Sequence, residues 1–155
     1  WMLQGLWVTV TAGAALAALS SGRSVPLNIV DGIAIALWLS GFAVEVIADR
    51  QKRQFRQEHG SDTFITRGLW SLSRHPNYFG EIILWTGIAL LTFPVLDSWQ
   101  YLTLVSPLFV YLLLARISGI PLLEHKANRR WGNDPAYITY RKNTPVLVPR
   151  LKKPG

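Results

Sequence analysis

Long uncharged runs alternate with short charged segments along this chain, and the runs carry no polar stripe at helical period. Residues 1–22 contain no charge. The second run, 32–44, reaches about twenty residues when Asp31 and Glu45 sit near its ends. The third, 82–96, becomes long enough when it starts at Pro76 with Glu81 in its first turns, and the fourth, 98–115, stops at Arg116. A bilayer-spanning helix needs about 20 mostly apolar residues, whereas a helix of a soluble bundle keeps a polar face. Segments such as LWVTVTAGAALAAL and IAIALWLSGFAV have no such face. The pattern predicts an all-α, polytopic membrane helix bundle of four transmembrane helices, with loop and tail helices outside the bilayer. These form a single membrane domain over residues 1–155. The first run lacks the basic flank and short apolar core of a signal peptide.

Composition and charge agree with this. Half the residues are hydrophobic and only 16% are charged, yet the net charge is +7. An average soluble domain carries about 25% charged residues, so an apolar, basic chain points to the bilayer as its partner and not to nucleic acid. The absence of cysteine excludes disulfides, thiolate metal sites and cysteine nucleophiles. The connection after the first run holds only Arg23, and the one near Asp97 holds no basic residue. Fifteen of the sixteen basic residues fall in the central loop and the tail, which the positive-inside rule assigns to the cytosol. The expected setting is a membrane with the 49–75 loop and the C-terminal tail cytoplasmic. Lys152 and Lys153 read as topology anchors or lipid contacts. A chain that begins inside its own hydrophobic run is expected to be the C-terminal part of a longer bundle. Breaks are expected at Ser20–Pro26, Gly60–Asp62 and Gly132–Pro135, and Thr144–Pro149 reads as extended because proline keeps it out of a helix.

Three groups of polar residues carry candidate chemistry. Glu45 and Asp49, four apart, share a face at the end of the second helix, and Arg53 and Arg56 continue it with Lys52 alongside if the helix runs on. The alternative is an ordinary salt-bridged extension, although a carboxylate as deep as Glu45 usually faces a cavity or partner. In the block Gly68–Glu81, Pro76 is placed to open the third helix. Arg74, His75 and Asn77 then crowd a helix N-terminus suited to an anion, with Glu81 one turn beyond Asn77. The alternative is capping plus a Glu81–Arg74 pair. The third group is Glu124, His125, Lys126, Arg129, Arg130, Trp131, Tyr137, Tyr140 and Arg141. It reads either as a cover over a phosphate-bearing ligand or as an amphipathic helix on the membrane surface. His59, His75 and His125 lack ligand spacing, so no metal is assigned, and neither a dinucleotide fingerprint nor a Walker loop is present.

Together these residues resemble the steroid 5-alpha-reductase-like membrane proteins, in particular their bacterial branch, relatives of sterol reductases and isoprenylcysteine methyltransferases. The resembling motifs are E-x-x-x-D-x-Q-K-x-x-F at Glu45–Phe55, G-L-W-x-x-S-R-H-P-N-Y-F-G-E at Gly68–Glu81, S-G-I-P-L-L-E at Ser118–Glu124 and Y-x-x-Y-x-x-x-T-P at Tyr137–Pro145. The resemblance implies NADPH-dependent reduction of a carbon–carbon double bond in a hydrophobic lipid, such as a steroid, sterol or isoprenoid-like enone. It implies a cofactor region at about residues 45–149. Within that region it implies contacts at Asp49, Lys52, Arg56, Asn77, Glu81, Tyr137 and Arg141, with Arg53, Trp70, His75, Tyr78, Lys126 and Arg129 as neighbours. No catalytic residue is assigned, and Tyr78 and Glu81 are the candidates. Two features depart from the family. The acidic and tyrosine groups that polarise substrate sit on earlier helices in relatives, and Glu45 stands where steroid-reducing members have an amide. Alternatives are an S-adenosylmethionine-dependent methyltransferase of the isoprenylcysteine or phospholipid type, which shares the R-H-P-x-Y-x-G core, and a non-catalytic lipid-binding bundle.

Overall fold

The computed structural model describes residues 2–60 and 62–150; Lys152, Lys153 and the chain's first residue lie outside them. Among the described residues every regular element is helical. Helix α1 spans Met2–Ser20. Helix α2, Ile29–His59, is opened by a capping box: the Asn28 side chain accepts from the Val30 N–H at 2.7 Å, and the Asp31 carboxylate accepts from the Asn28 N–H at 2.7 Å. Its 31 residues make a rod of about 46 Å. That exceeds the roughly 30 Å hydrocarbon core, so one end projects beyond the bilayer. It stops where Gly60 takes φ +74°, at the break expected there.

Helix α3, Pro76–Thr92, begins with proline at its first position, where the missing N–H costs nothing. A helical run of changing pitch follows the turn near Asp97. It passes through a 3-10 stretch at Ser98–Val105, α4 at Ser106–Leu112 and a π turn at Leu113–Ile117 before α5 at Ile120–Trp131. Helix α6, Pro135–Asn143, is capped by Asp134.

Three segments are long and apolar enough to cross a membrane: Ile29–His59, Pro76–Val95 and Ser98–Trp131. The first of the four expected spans appears as a shorter apolar helix, Gly5–Ser20. The fold is a polytopic helical bundle, and the protein is a multi-pass integral membrane protein. Ile33, Trp38, Leu39, Phe42, Val46 and Ile47 are exposed along α2, a surface suited to lipid tails rather than water.

Helices α2 and α3 meet backbone to backbone through small residues. A Cβ on Gly41 would lie 2.5 Å from the Leu84 nitrogen, one on Gly80 2.7 Å from the Glu45 nitrogen, and one on Gly87 2.7 Å from the Trp38 nitrogen. Membrane helices associate closely through such faces because lipid supplies no hydrophobic drive between them. Helix α1 packs against α3, α4 and the Ser98–Val105 stretch. Arg23 pairs with Asp97 at 3.5 Å, joining the two sparsely charged connections at one end. The basic loop and tail lie at the other.

Candidate functional site

The charged end is built on a small core of Ala48, Phe55, Ile65 and Trp70, with Leu69 against it. Gly68, at φ +62°, lets the connector turn tightly against α2. There the Gln51 side chain accepts from the Leu69 N–H at 2.9 Å. The Trp70 indole donates to the Ala48 carbonyl at 3.0 Å, and the Tyr140 hydroxyl donates to the Trp70 carbonyl at 2.7 Å. Burial pushes the Tyr140 phenol above its ordinary value, which keeps it a donor. The loop, α2 and α6 are thereby tied to one tryptophan.

The extended tail holds the segment before α3. The Ser73 hydroxyl donates to the Leu147 carbonyl at 2.7 Å, the Arg74 N–H to the Pro145 carbonyl at 2.9 Å, and the Arg150 N–H to the Leu72 carbonyl at 3.0 Å. Glu124 reaches in from α5. Its Oε2 lies 2.5 Å from Arg74 Nη1 and 4.0 Å from Arg141 Nε, and its Oε1 lies 2.9 Å from His75 Nε2. This corrects the reading of Arg74 as a free cation at an anion-binding helix end, and equally its pairing with Glu81. A buried guanidinium needs a close carboxylate, and the one within reach is 50 residues away in sequence.

Between α2, the connector, α5 and α6 lies a cavity of about 290 Å³ bordered by Lys52, Arg56, Trp70, His75, Lys126 and Tyr137, with Phe55, Phe64 and Ile65 as apolar wall. Lys52 Nζ stands 4.9 Å over the Trp70 ring. Arg74 and His75 are balanced by Glu124, and Arg130 by Asp62. Lys52, Arg56 and Lys126 have no ion-pair partner within salt-bridge distance among the described residues, so the rim carries uncompensated positive charge. Arg74 Nε is buried without a hydrogen-bond partner.

The other expected positions fall around this cavity rather than in it. Asp49, Lys52, Arg53 and Arg56 line an open groove of about 480 Å³ along α2, which shares Lys52 and Arg56 with the cavity. Asn77, Tyr78 and Glu81 are half-buried on the first turns of α3, where Tyr78 and Glu81 come within coulombic reach of Asp49. The His75 ring stacks on Tyr78 at 5.7 Å and so links the two sets. Arg141 borders a separate hollow with Asn128, Tyr137 and Lys142, and Arg129 is exposed and borders none of these.

Sequence reasoning left Phe64 and Ile65 unremarked. The Phe64 ring meets Tyr137 edge-on at 5.2 Å and Trp131 at 5.7 Å. Its signal was an apolar pair inside an otherwise polar connector.

A family model described as Protein of unknown function (DUF1295) matches residues 1–144. The chain is similar to 3-oxo-5-alpha-steroid 4-dehydrogenase 1 of Rattus norvegicus, 30% identical over 115 residues, which is 74% of this chain and 39% of that protein. The enzyme of the same name from Macaca fascicularis is 29% identical over 77% of this chain and 40% of its own length. Steroid 5-alpha-reductase DET2 of Arabidopsis thaliana is 34% identical over 68 residues, 43% of this chain and 24% of that protein. The chain thus spans about two-fifths of the length of the first of these relatives. No solved structure matches it.

Proposed function

The chain belongs to the DUF1295 family, a steroid 5-alpha-reductase-like group, and we propose that it serves NADPH-dependent reduction of a carbon–carbon double bond in a steroid-like or other isoprenoid lipid. The observation that carries this reading is the cavity beneath the tail helices. It combines three unpaired cations, Lys52, Arg56 and Lys126, with aromatic faces at Trp70 and Tyr137. That donor set fits the phosphates and flat rings of a nicotinamide dinucleotide, and the orphaned Arg74 Nε is one more donor at its edge. The groove along α2 gives an elongated ligand room to continue.

When bound, the cofactor supplies the hydride for the double bond. Lys52, Arg56 and Lys126 hold its phosphates, with Arg53 and Arg141 as flanking charges. Asn77 and Glu81 take its amide or ribose hydroxyls, and Asp49 orients the neighbouring arginines. Tyr78 and Glu81 are the groups for moving a proton at the α2–α3 crossing. The same reading places the protein in a bacterial inner membrane with the 49–75 loop and tail in the cytosol, where a soluble cofactor is at hand. The placement of the basic residues supports that orientation.

Ligand-dependent thermal stabilisation of the detergent-purified protein tests the reading, with NADPH, NADH and S-adenosylmethionine in parallel. A shift with NADPH, lost in Arg56→Ala, is the expected result. A shift with S-adenosylmethionine alone would replace reduction with methyl transfer, and silence from all three would leave a lipid-binding bundle.

A further inference from the structure

We propose that Glu124 is a positioning residue for this cavity: its carboxylate fixes His75 as the Nε2–H tautomer, so that Nδ1 is a hydrogen-bond acceptor for a hydroxyl or amide of the bound ligand. The identity of that ligand rests on the cofactor reading above; the tautomer does not.

The Glu124 side chain is 19% exposed and uses both oxygens, Oε1 toward His75 Nε2 at 2.9 Å and Oε2 toward Arg74 Nη1 at 2.5 Å. A carboxylate only accepts, so the ring nitrogen facing it carries the hydrogen. In a neutral imidazole the other nitrogen is then an acceptor. The same carboxylate also pairs with Arg74, and Arg141 Nε lies 4.0 Å from its Oε2.

The ring has little freedom to turn. His75 caps α3, its backbone N–H donates to the Ser73 hydroxyl at 3.2 Å, its ring is held by Glu124, and the ring plane lies 11° from that of Tyr78. It borders the cavity, and its Nδ1 has no hydrogen-bond partner among the described residues. The cations that suit phosphate, Lys52, Arg56 and Lys126, are other residues of the same cavity. An acceptor among them selects a ligand group that donates, such as a ribose hydroxyl or a carboxamide N–H.

Nitrogen NMR of histidine-labelled protein in micelles tests this directly, with His75 assigned by its disappearance in His75→Gln. Near about pH 8, where an ordinary imidazole is neutral, the wild type should show the Nε2–H pattern. Glu124→Gln offers one oxygen where the carboxylate offers one each to Arg74 and His75, and turns an N–H toward the other, so it and Glu124→Ala should both lose the pure Nε2–H pattern. Glu124→Asp serves in its place if the alanine variant does not fold. In NADPH titrations Glu124→Ala and His75→Ala should each weaken binding about tenfold, as loss of one hydrogen bond does, and the double variant no further.

An Nδ1–H or charged His75 in the wild type, an unchanged tautomer in Glu124→Ala, or additive losses in the double variant would overturn the proposal. Absence of NADPH binding to the wild type would instead remove the cofactor reading, and the ligand-free tautomer comparison would still decide the role of Glu124.

Discussion

Arg56 and Tyr140 border the same cavity yet do different work. Arg56 is exposed at the cavity rim without an ion-pair partner among the described residues, so its removal should leave the fold intact and take away a phosphate contact of the proposed cofactor. Arg56→Ala should raise the dissociation constant for NADPH about tenfold or more, reduce its dependence on salt, and leave the ligand-free melting temperature unchanged. Titration at two ionic strengths measures this. Tyr140 is part of the framework. Its hydroxyl closes on the Trp70 carbonyl, and Tyr140→Phe should cost about 1 kcal/mol at neutral pH. Because burial raises its phenol, the folded chain holds that proton more tightly than the unfolded one. The associated stability is complete below the ordinary phenol value of about 10 and declines as pH rises toward the folded-state value. Melting curves of Tyr140→Phe should therefore fall less steeply with pH above about 10 than those of the wild type.

The α2–α3 pair sets how far apart the two polar sets can lie. Gly41, Gly80 and Gly87 allow main chain to touch main chain, and this contact brings Asp49 of α2 within coulombic reach of Tyr78 and Glu81 of α3. Gly80→Ala must push the helices apart, since its Cβ would lie 2.7 Å from backbone on α2. It should cost about 1–3 kcal/mol, the usual penalty of overpacking, and weaken NADPH binding as Asn77 and Glu81 withdraw. Gly32 of α2 has open space around its Cβ position, so Gly32→Ala should leave binding unchanged and should not lower stability. Chemical unfolding in mixed micelles together with NADPH titration separates the two. At this scale much was legible in advance. The extension of α2 past Arg56, the proline start of α3 and the breaks at Gly60 and Gly132 all follow from local chemistry. The π turn at Leu113–Ile117 did not, because it has no residue signature of its own.

For the whole molecule, the Arg23–Asp97 bridge at one end and the tail clasp at the other define two faces. Single cysteines introduced at Ser24 and at Lys142 into this cysteine-free chain should label from opposite sides of oriented membrane vesicles, with Lys142→Cys reached from the cytosol. Labelling of both from one side would overturn the topology. The amino-acid order alone was enough for the bundle, its helical spans and the side bearing the charges, because hydrophobic length and the placement of Lys and Arg act locally and additively along the chain. It also singled out Lys52, Arg56, Trp70, His75, Lys126 and Tyr137 through motifs, and the fold gathers them around one cavity. Their sorting into a cavity, a groove and an outlying Arg141 came only with folding. So did the partner of Arg74: a buried charge takes whichever carboxylate the packing brings within about 3 Å, and sequence spacing holds no record of Glu124 arriving from another helix.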